Sequence, residues 1–206
     1  VIFGMVLFLL YVPLMVMWVN SLLDKVDTQW VVTLRWYREV FSDAELALAM
    51  QRSLLVGLSA STIATILGAG AAIAISKGQF RFRLGHGLEV MSFISLIIPE
   101  LVFALSLLMW FFLLKIPLAL TTVILAHVTF CLSFVMLTVG VRVTALDPTL
   151  EDAARDLGAS EFRILFKVTL PLLRPAIVAA FVLCFILSFD DFLITYYTNG
   201  VGSDTL

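Results

Sequence analysis

Five long apolar runs, set apart by polar segments of unequal length, organise the chain. Val1–Leu23 carries no charged residue and is long enough to cross a hydrocarbon layer of ~30 Å as a helix. Pro13 is placed to kink it, and Trp18 near its end suits an interfacial aromatic belt. Ser53–Ser76 is the second run; Ala60, Ala64, Gly68 and Ala72 recur in it every four positions, a stripe that lets a second helix approach closely. Val90–Leu114 is the third, interrupted at Pro99-Glu100, and Lys115 with Pro117 marks a tight turn into the fourth, Ile116–Val141. Pro175–Tyr197 is the fifth. Residues 24–52 read as a polar loop with at most one surface helix, in which Trp30, Trp36 and Tyr37 are interleaved with charges. Residues 77–87 read as a short basic loop, and the chain leaves the last run through a polar segment with a turn signal at Asn199-Gly200.

The longest polar segment of the second half, residues 142–174, holds a short amphipathic helix. Pro148 precedes it, and Thr149 with Asp152 three residues on makes a capping-box pattern. Leu150, Ala153, Ala154 and Leu157 fall at i, i+3, i+4 and i+7 and share one face. Gly158 is a natural C-terminal stop, because glycine takes the left-handed conformation without strain. The spacing predicts about two turns, roughly 12 Å long. Two readings fit: an interfacial loop helix, or a docking helix that offers a small-residue face to a partner.

Composition narrows the class. Hydrophobic residues make up 62% of the chain and charged ones 14%, against about 25% charged in soluble domains; the mean hydropathy is +1.09. The chain is an all-α polytopic membrane protein, with membrane lipid as its solvent. The net charge of −2 and the lack of a basic cluster give no sign of nucleic acid. Cys131 and Cys184 lie inside apolar runs and read as packing residues rather than a disulfide. Alternating the runs puts residues 77–87 and 142–174 on one side, with Lys77, Arg81, Arg83, Arg142, Arg155, Arg163, Lys167 and Arg174; this basic side is cytoplasmic by the positive-inside rule.

Charge inside the apolar runs is confined to Glu100, Asp190 and Asp191. Each costs roughly 2.5–3.5 kcal/mol at a helix centre on insertion scales, so a lipid-facing position is disfavoured. On straight helices Glu100 lies about 16 Å into the layer and Asp190 about 22 Å from the inner surface. Buried carboxylates need a cation, a hydrogen-bond donor or a proton, and no Lys or Arg lies at matching depth. The three acids read as a cation-binding set. Trp110, Tyr196 and Tyr197 are placed to add cation–π contacts, although ordinary belt aromatics explain each singly. His127 reads as a hydrogen-bonded packing residue.

Asp152-Ala153-Ala154, three residues, Gly158, and Val168-Thr169-Leu170-Pro171 nine residues further resemble the "EAA loop" of ABC importer permeases. Asp152 stands where that family has Glu, and Val168 where it has Ile. The resemblance implies a type I, MetI-like helical bundle with five spans present and a sixth trimmed beyond Leu206. It also implies that the helix at 149–158, through Leu150, Glu151, Asp152, Ala153, Ala154, Leu157 and Gly158, fits a groove on a separate cytoplasmic ATPase. Ile98-Pro99-Glu100, and Ser188-Phe189-Asp190-Asp191-Phe192 followed by Asn199-Gly200, are similar to the polyamine (spermidine/putrescine) branch.

The implied partners are a second homologous permease, two ATPase subunits that hold ATP and Mg, and an extracytoplasmic polyamine-binding protein. The implied location is the bacterial inner (plasma) membrane. The chain itself is expected to bind no cofactor and to be no enzyme: no phosphate-binding Gly-x-x-x-x-Gly-Lys-Ser/Thr loop and no paired metal ligands occur. The alternatives are the same importer class with ferric iron, thiamine or a phosphonate as solute, and an ion-coupled secondary carrier with a proton path through Glu100, His127 and Asp190.

Overall fold

The structure, a computed structural model, describes residues 2–26, 29–78, 82–200 and 205. Of the expected basic loop, Arg81 lies outside the described residues and Arg83 is described by its backbone alone. The chain divides into two compact units, Val1–Met50 and Gln51–Leu206.

In the first unit, α1 (Ile2–Ser21) contains Pro13 and shows almost all of its apolar side chains at the surface, as a lipid-facing helix must. The segment expected to be a loop is more ordered than its mixed polarity predicts. It forms an antiparallel hairpin of β1 (Leu23–Val26) and β2 (Gln29–Val32), with Leu23 opposite Val32. A short helix, α2 (Arg35–Ser42), follows. Asp43 alone separates it from α3 (Ala44–Ser76), and the Asp43 carboxylate accepts the N–H groups of Glu45 and Leu46. The capping residue therefore starts α3 nine residues before the apolar run that announced it.

In the second unit, the third apolar run is not one straight span. α4 (Phe82–Ile97) and α5 (Glu100–Leu113) meet at 115°. Pro99 cannot give an N–H to the preceding turn, so it ends α4 and becomes the N-cap of α5. The depth expected for Glu100 on a straight helix is thereby overturned: Glu100 stands in the first turn of a new helix with another direction. Lys115, at φ 55°, makes the turn out of α5, and α6 (Leu120–Thr144) begins after Pro117.

The last span also differs from its apolar run. α8 (Glu161–Ile164), a π turn over Leu165–Thr169 and α9 (Leu170–Asp190) run on as one 30-residue apolar helix, Glu161–Asp190. Pro171 has no N–H for the carbonyl four residues back, and the widened π turn before it is where the helix absorbs that loss. Asp191 leaves helical geometry, and α10 (Leu193–Thr198) starts a new direction. Among the described residues four helices are long and apolar enough to span a membrane, and five if the bent α4–α5 pair counts as one span.

α3, α6 and α9 share a core of Ala64, Ala69, Ala72, Cys131, Val135, Val139, Ala180 and Cys184. The small-residue stripe makes that packing possible: a Cβ on Gly68 would sit 2.8 Å from Val135. Both cysteines are buried free thiols, each reaching the other's carbonyl, at 3.7 and 3.5 Å. A second cluster, Ala104, Phe111, Ala126 and Ile194, joins α5, α6 and α10.

Candidate functional site

Two groups of polar side chains interrupt this apolar frame. The first surrounds α7 (Thr149–Asp156), the helix of the 142–174 segment. Its N-terminus is held by Asp147, whose carboxylate accepts the Thr149 N–H at 3.0 Å; the Thr149–Asp152 capping box gives way to this cap two residues earlier. Both hydrogen bonds from the Thr149 segment hold the Asp147 carboxyl below the usual carboxylate range. The C-terminus closes as the glycine predicts: Gly158 sits at φ +78°, its N–H reaches the Arg155 carbonyl and the Ala159 N–H reaches that of Ala154.

One carboxylate ties this helix to the membrane frame. Glu151 Oε1 accepts from the Lys77 ammonium at 3.0 Å and from the Thr169 hydroxyl at 2.6 Å. Lys77 directly follows α3 and Thr169 ends the π turn, so Glu151 pins α7 to the ends of two spans. Burial pushes the Glu151 carboxyl up, but Thr169 and Lys77 together outweigh it and hold it below its ordinary value. On the outer side Arg155 bridges Asp152 at 2.6 Å and Glu161 at 2.8 Å. Lys77, Glu151, Arg155, Glu161 and Thr169 line a cavity of about 490 Å³ together with Asp147 and Leu150. Leu150 and Leu157 of the predicted docking face are exposed, Leu157 by 89%, and the tilted ring pair Phe162 and Phe166 adds exposed apolar surface. Ala153 is exposed and Ala154 half-buried.

The second group gathers where α5, α6, α9 and α10 meet. The Asp191 carboxylate accepts the Ile194 N–H at 2.8 Å, which starts α10, and faces the Glu100 carboxyl within hydrogen-bonding reach. Asp191 is half-buried and Glu100 exposed, and two facing carboxylates favour a cation between them. On α6, His127 is fully buried, with Nε2 2.9 Å from the Thr195 hydroxyl and Nδ1 2.8 Å from that of Ser188. The Thr122 hydroxyl reaches the Thr198 carbonyl at 2.9 Å, and Gly200 lies so close to the Leu118 carbonyl that a Cβ there would overlap it.

The structure thus brings Glu100 and Asp191 together from 91 positions apart and leaves the other expected site residues outside the pair. Asp190, the last residue of α9, is exposed. Trp110 lies most of α5 away from Glu100 and is exposed. Tyr196 is exposed and packs edge-on against Tyr197. Lys77, Thr169, Ser188 and Thr195 went unrecognised as partners in the sequence. Only Lys77 carried a signal there, as the first cation of the short basic loop that follows an apolar run.

A frame of broken membrane helices around a polar seam, with a capped loop helix between two spans, defines an inner-membrane transport permease. Residues 64–206 match the family described as "Binding-protein-dependent transport system inner membrane component", and the chain belongs to that family of ABC-importer permeases. It is 38% identical over 199 residues to the spermidine/putrescine transport system permease protein PotC of Escherichia coli (strain K12), covering 96% of this chain and 75% of that protein. The PotC protein of Haemophilus influenzae is 37% identical over 199 residues, covering 96% and 77%. The putrescine transport system permease protein PotI of E. coli (strain K12) is 36% identical over 205 residues, covering 96% and 73%.

Proposed function

We propose that the chain is one of two transmembrane subunits of an ATP-driven importer that carries polyamines into the cytoplasm. A second permease, two ATPase subunits and an extracytoplasmic binding protein complete it. The observation that carries the substrate reading is the Glu100–Asp191 pair. A polyamine is a chain of ammonium groups on methylene spacers, and an ammonium satisfies two facing carboxylates. Trp110, Tyr196 and the exposed Asp190 supply further aromatic and anionic surface on the same elements. The names of the relatives support the same solute class.

ATP and Mg act on the partner ATPases. One of them pushes on α7 through the face of Leu150, Ala153, Ala154 and Leu157, on which all but the half-buried Ala154 are exposed, and the C-terminal turn at Gly158 fixes where that face ends. Glu151 passes the displacement to α3 and α9 through Lys77 and Thr169, and Asp152 steadies the helix through Arg155. Because the spans are packed and broken at defined residues, they move as bodies between two states, and the solute must contact those states differently. The test is uptake of labelled spermidine and putrescine by cells carrying the complete transport system, with and without this chain. Uptake that requires the chain and ATP supports the reading. A system that takes up neither polyamine, or whose uptake collapses with an uncoupler at constant ATP, overturns it.

A further inference from the structure

The first unit carries a surface that the transport cycle leaves unused. Along α2 the polar residues Arg35, Arg38, Glu39 and Ser42 and the apolar residues Trp36, Tyr37, Val40 and Phe41 separate cleanly. At about 100° per residue the apolar four fall within an arc of about 140°. None of them is covered; Phe41 is 86% exposed. The polar face, in contrast, is engaged: Arg35 pairs with Asp24 at 3.2 Å and with Glu39 at 2.9 Å.

Covalent and hydrogen-bonded connections fix where this helix lies. Tyr37 bonds the Ser21 hydroxyl at 2.8 Å at the last residue of the spanning helix α1, and the Trp36 indole donates to the Leu23 carbonyl at 3.1 Å. Ser21 in turn bonds the carbonyl of Trp18, the belt residue of α1. At its other end α2 is one residue from α3, the next spanning helix. Held by these bonds against the end of α1, the helix lies at the depth where that span leaves the membrane. We propose that α2 is an interfacial helix that lies in the bilayer surface, with Trp36, Tyr37, Val40 and Phe41 in the boundary between headgroups and acyl chains and the Arg35–Glu39 face in water. Its partner is lipid. Arg35 and Arg38 stand at the level of the phosphates, and the aromatic side chains suit that boundary because they are apolar with polar tips.

The test uses the full chain in vesicles of phosphatidylethanolamine and phosphatidylglycerol. Trp36 is kept as the single tryptophan, with Trp18, Trp30 and Trp110 changed to Phe. Lipids brominated at acyl positions 6 and 7 should quench its fluorescence at least twofold more than lipids brominated at positions 11 and 12, and aqueous iodide should quench little. A second reporter, Phe41→Trp with all four native tryptophans changed to Phe, should give the same order and does not depend on the Trp36 hydrogen bond. Strong iodide quenching without bromolipid quenching at both positions overturns the proposal. Iodide protection that arises only when an extracytoplasmic binding protein is added also overturns it, and assigns the face to that protein.

Discussion

Breaking the carboxylate tie at Glu151 should free α7 from the spans without unfolding them. An eight-residue helix has no independent stability in water, so its order depends on what holds it. The Lys77 and Glu151 side chains are 19% and 24% exposed, which places their pairing at the upper end of the range for surface ion pairs, about 1 kcal/mol. The Thr169 bond to a charged acceptor contributes about 1.5 kcal/mol. Glu151→Gln removes the charge from both and should cost about 2 kcal/mol of local stability, or about 30-fold in opening of α7. Lys77→Met removes the pair alone and should cost about fivefold.

Hydrogen–deuterium exchange of the amides of Ala153–Gly158 in the full chain reads this opening directly. The double change Lys77→Glu with Glu151→Lys should recover part of the protection, since it restores the pair but not the Thr169 bond. The pH dependence has a defined sign. The Glu151 carboxyl is held below its ordinary value of 4.5, so its contribution is complete above that value and is lost as pH falls through the lowered value in the folded chain. Wild-type exchange in both Glu151→Gln and Lys77→Met would refute the tie.

Two further outcomes follow from backbone geometry. Gly158 holds φ +78° in open space, so Gly158→Ala should cost about 1 kcal/mol at the end of α7. Gly158→Asp should abolish uptake while the binding protein keeps its affinity for solute; normal uptake by that variant would remove the docking role. Gly68→Leu has no room, with Val135 2.8 Å from where its Cβ would stand. It should lower the melting temperature of the purified chain far more than Gly70→Leu, since Gly70 faces open space.

The sequence made the parts governed by local chemistry legible. The α7 helix, its glycine stop and the packed thiols Cys131 and Cys184 are in place because capping, left-handed glycine and burial act over a few residues. His127 is likewise the hydrogen-bonded packing residue it was expected to be. Boundaries failed where polarity and helicity part company. α3 starts at Ala44 because Asp43 caps it, not because the chain turns apolar there, and the last span starts at Glu161, inside a charged segment. Pro99 was visible as an interruption, but the 115° turn it permits was not, since α5 takes its direction from packing on α10. The hairpin at Leu23–Val32 went unseen because its strands are four residues each. The Glu100–Asp191 contact is set by the tertiary fold, and no spacing rule reaches across it.

The most direct measurement compares uptake of labelled spermidine by Asp191→Asn and Asp190→Asn in the complete transport system, with expression matched to wild type. Asp191 shares its site with Glu100 whereas Asp190 is exposed at the end of α9. The expected result is loss of uptake in Asp191→Asn with a smaller effect in Asp190→Asn. Undiminished uptake in Asp191→Asn would contradict the carboxylate pair as the polyamine's site in this chain.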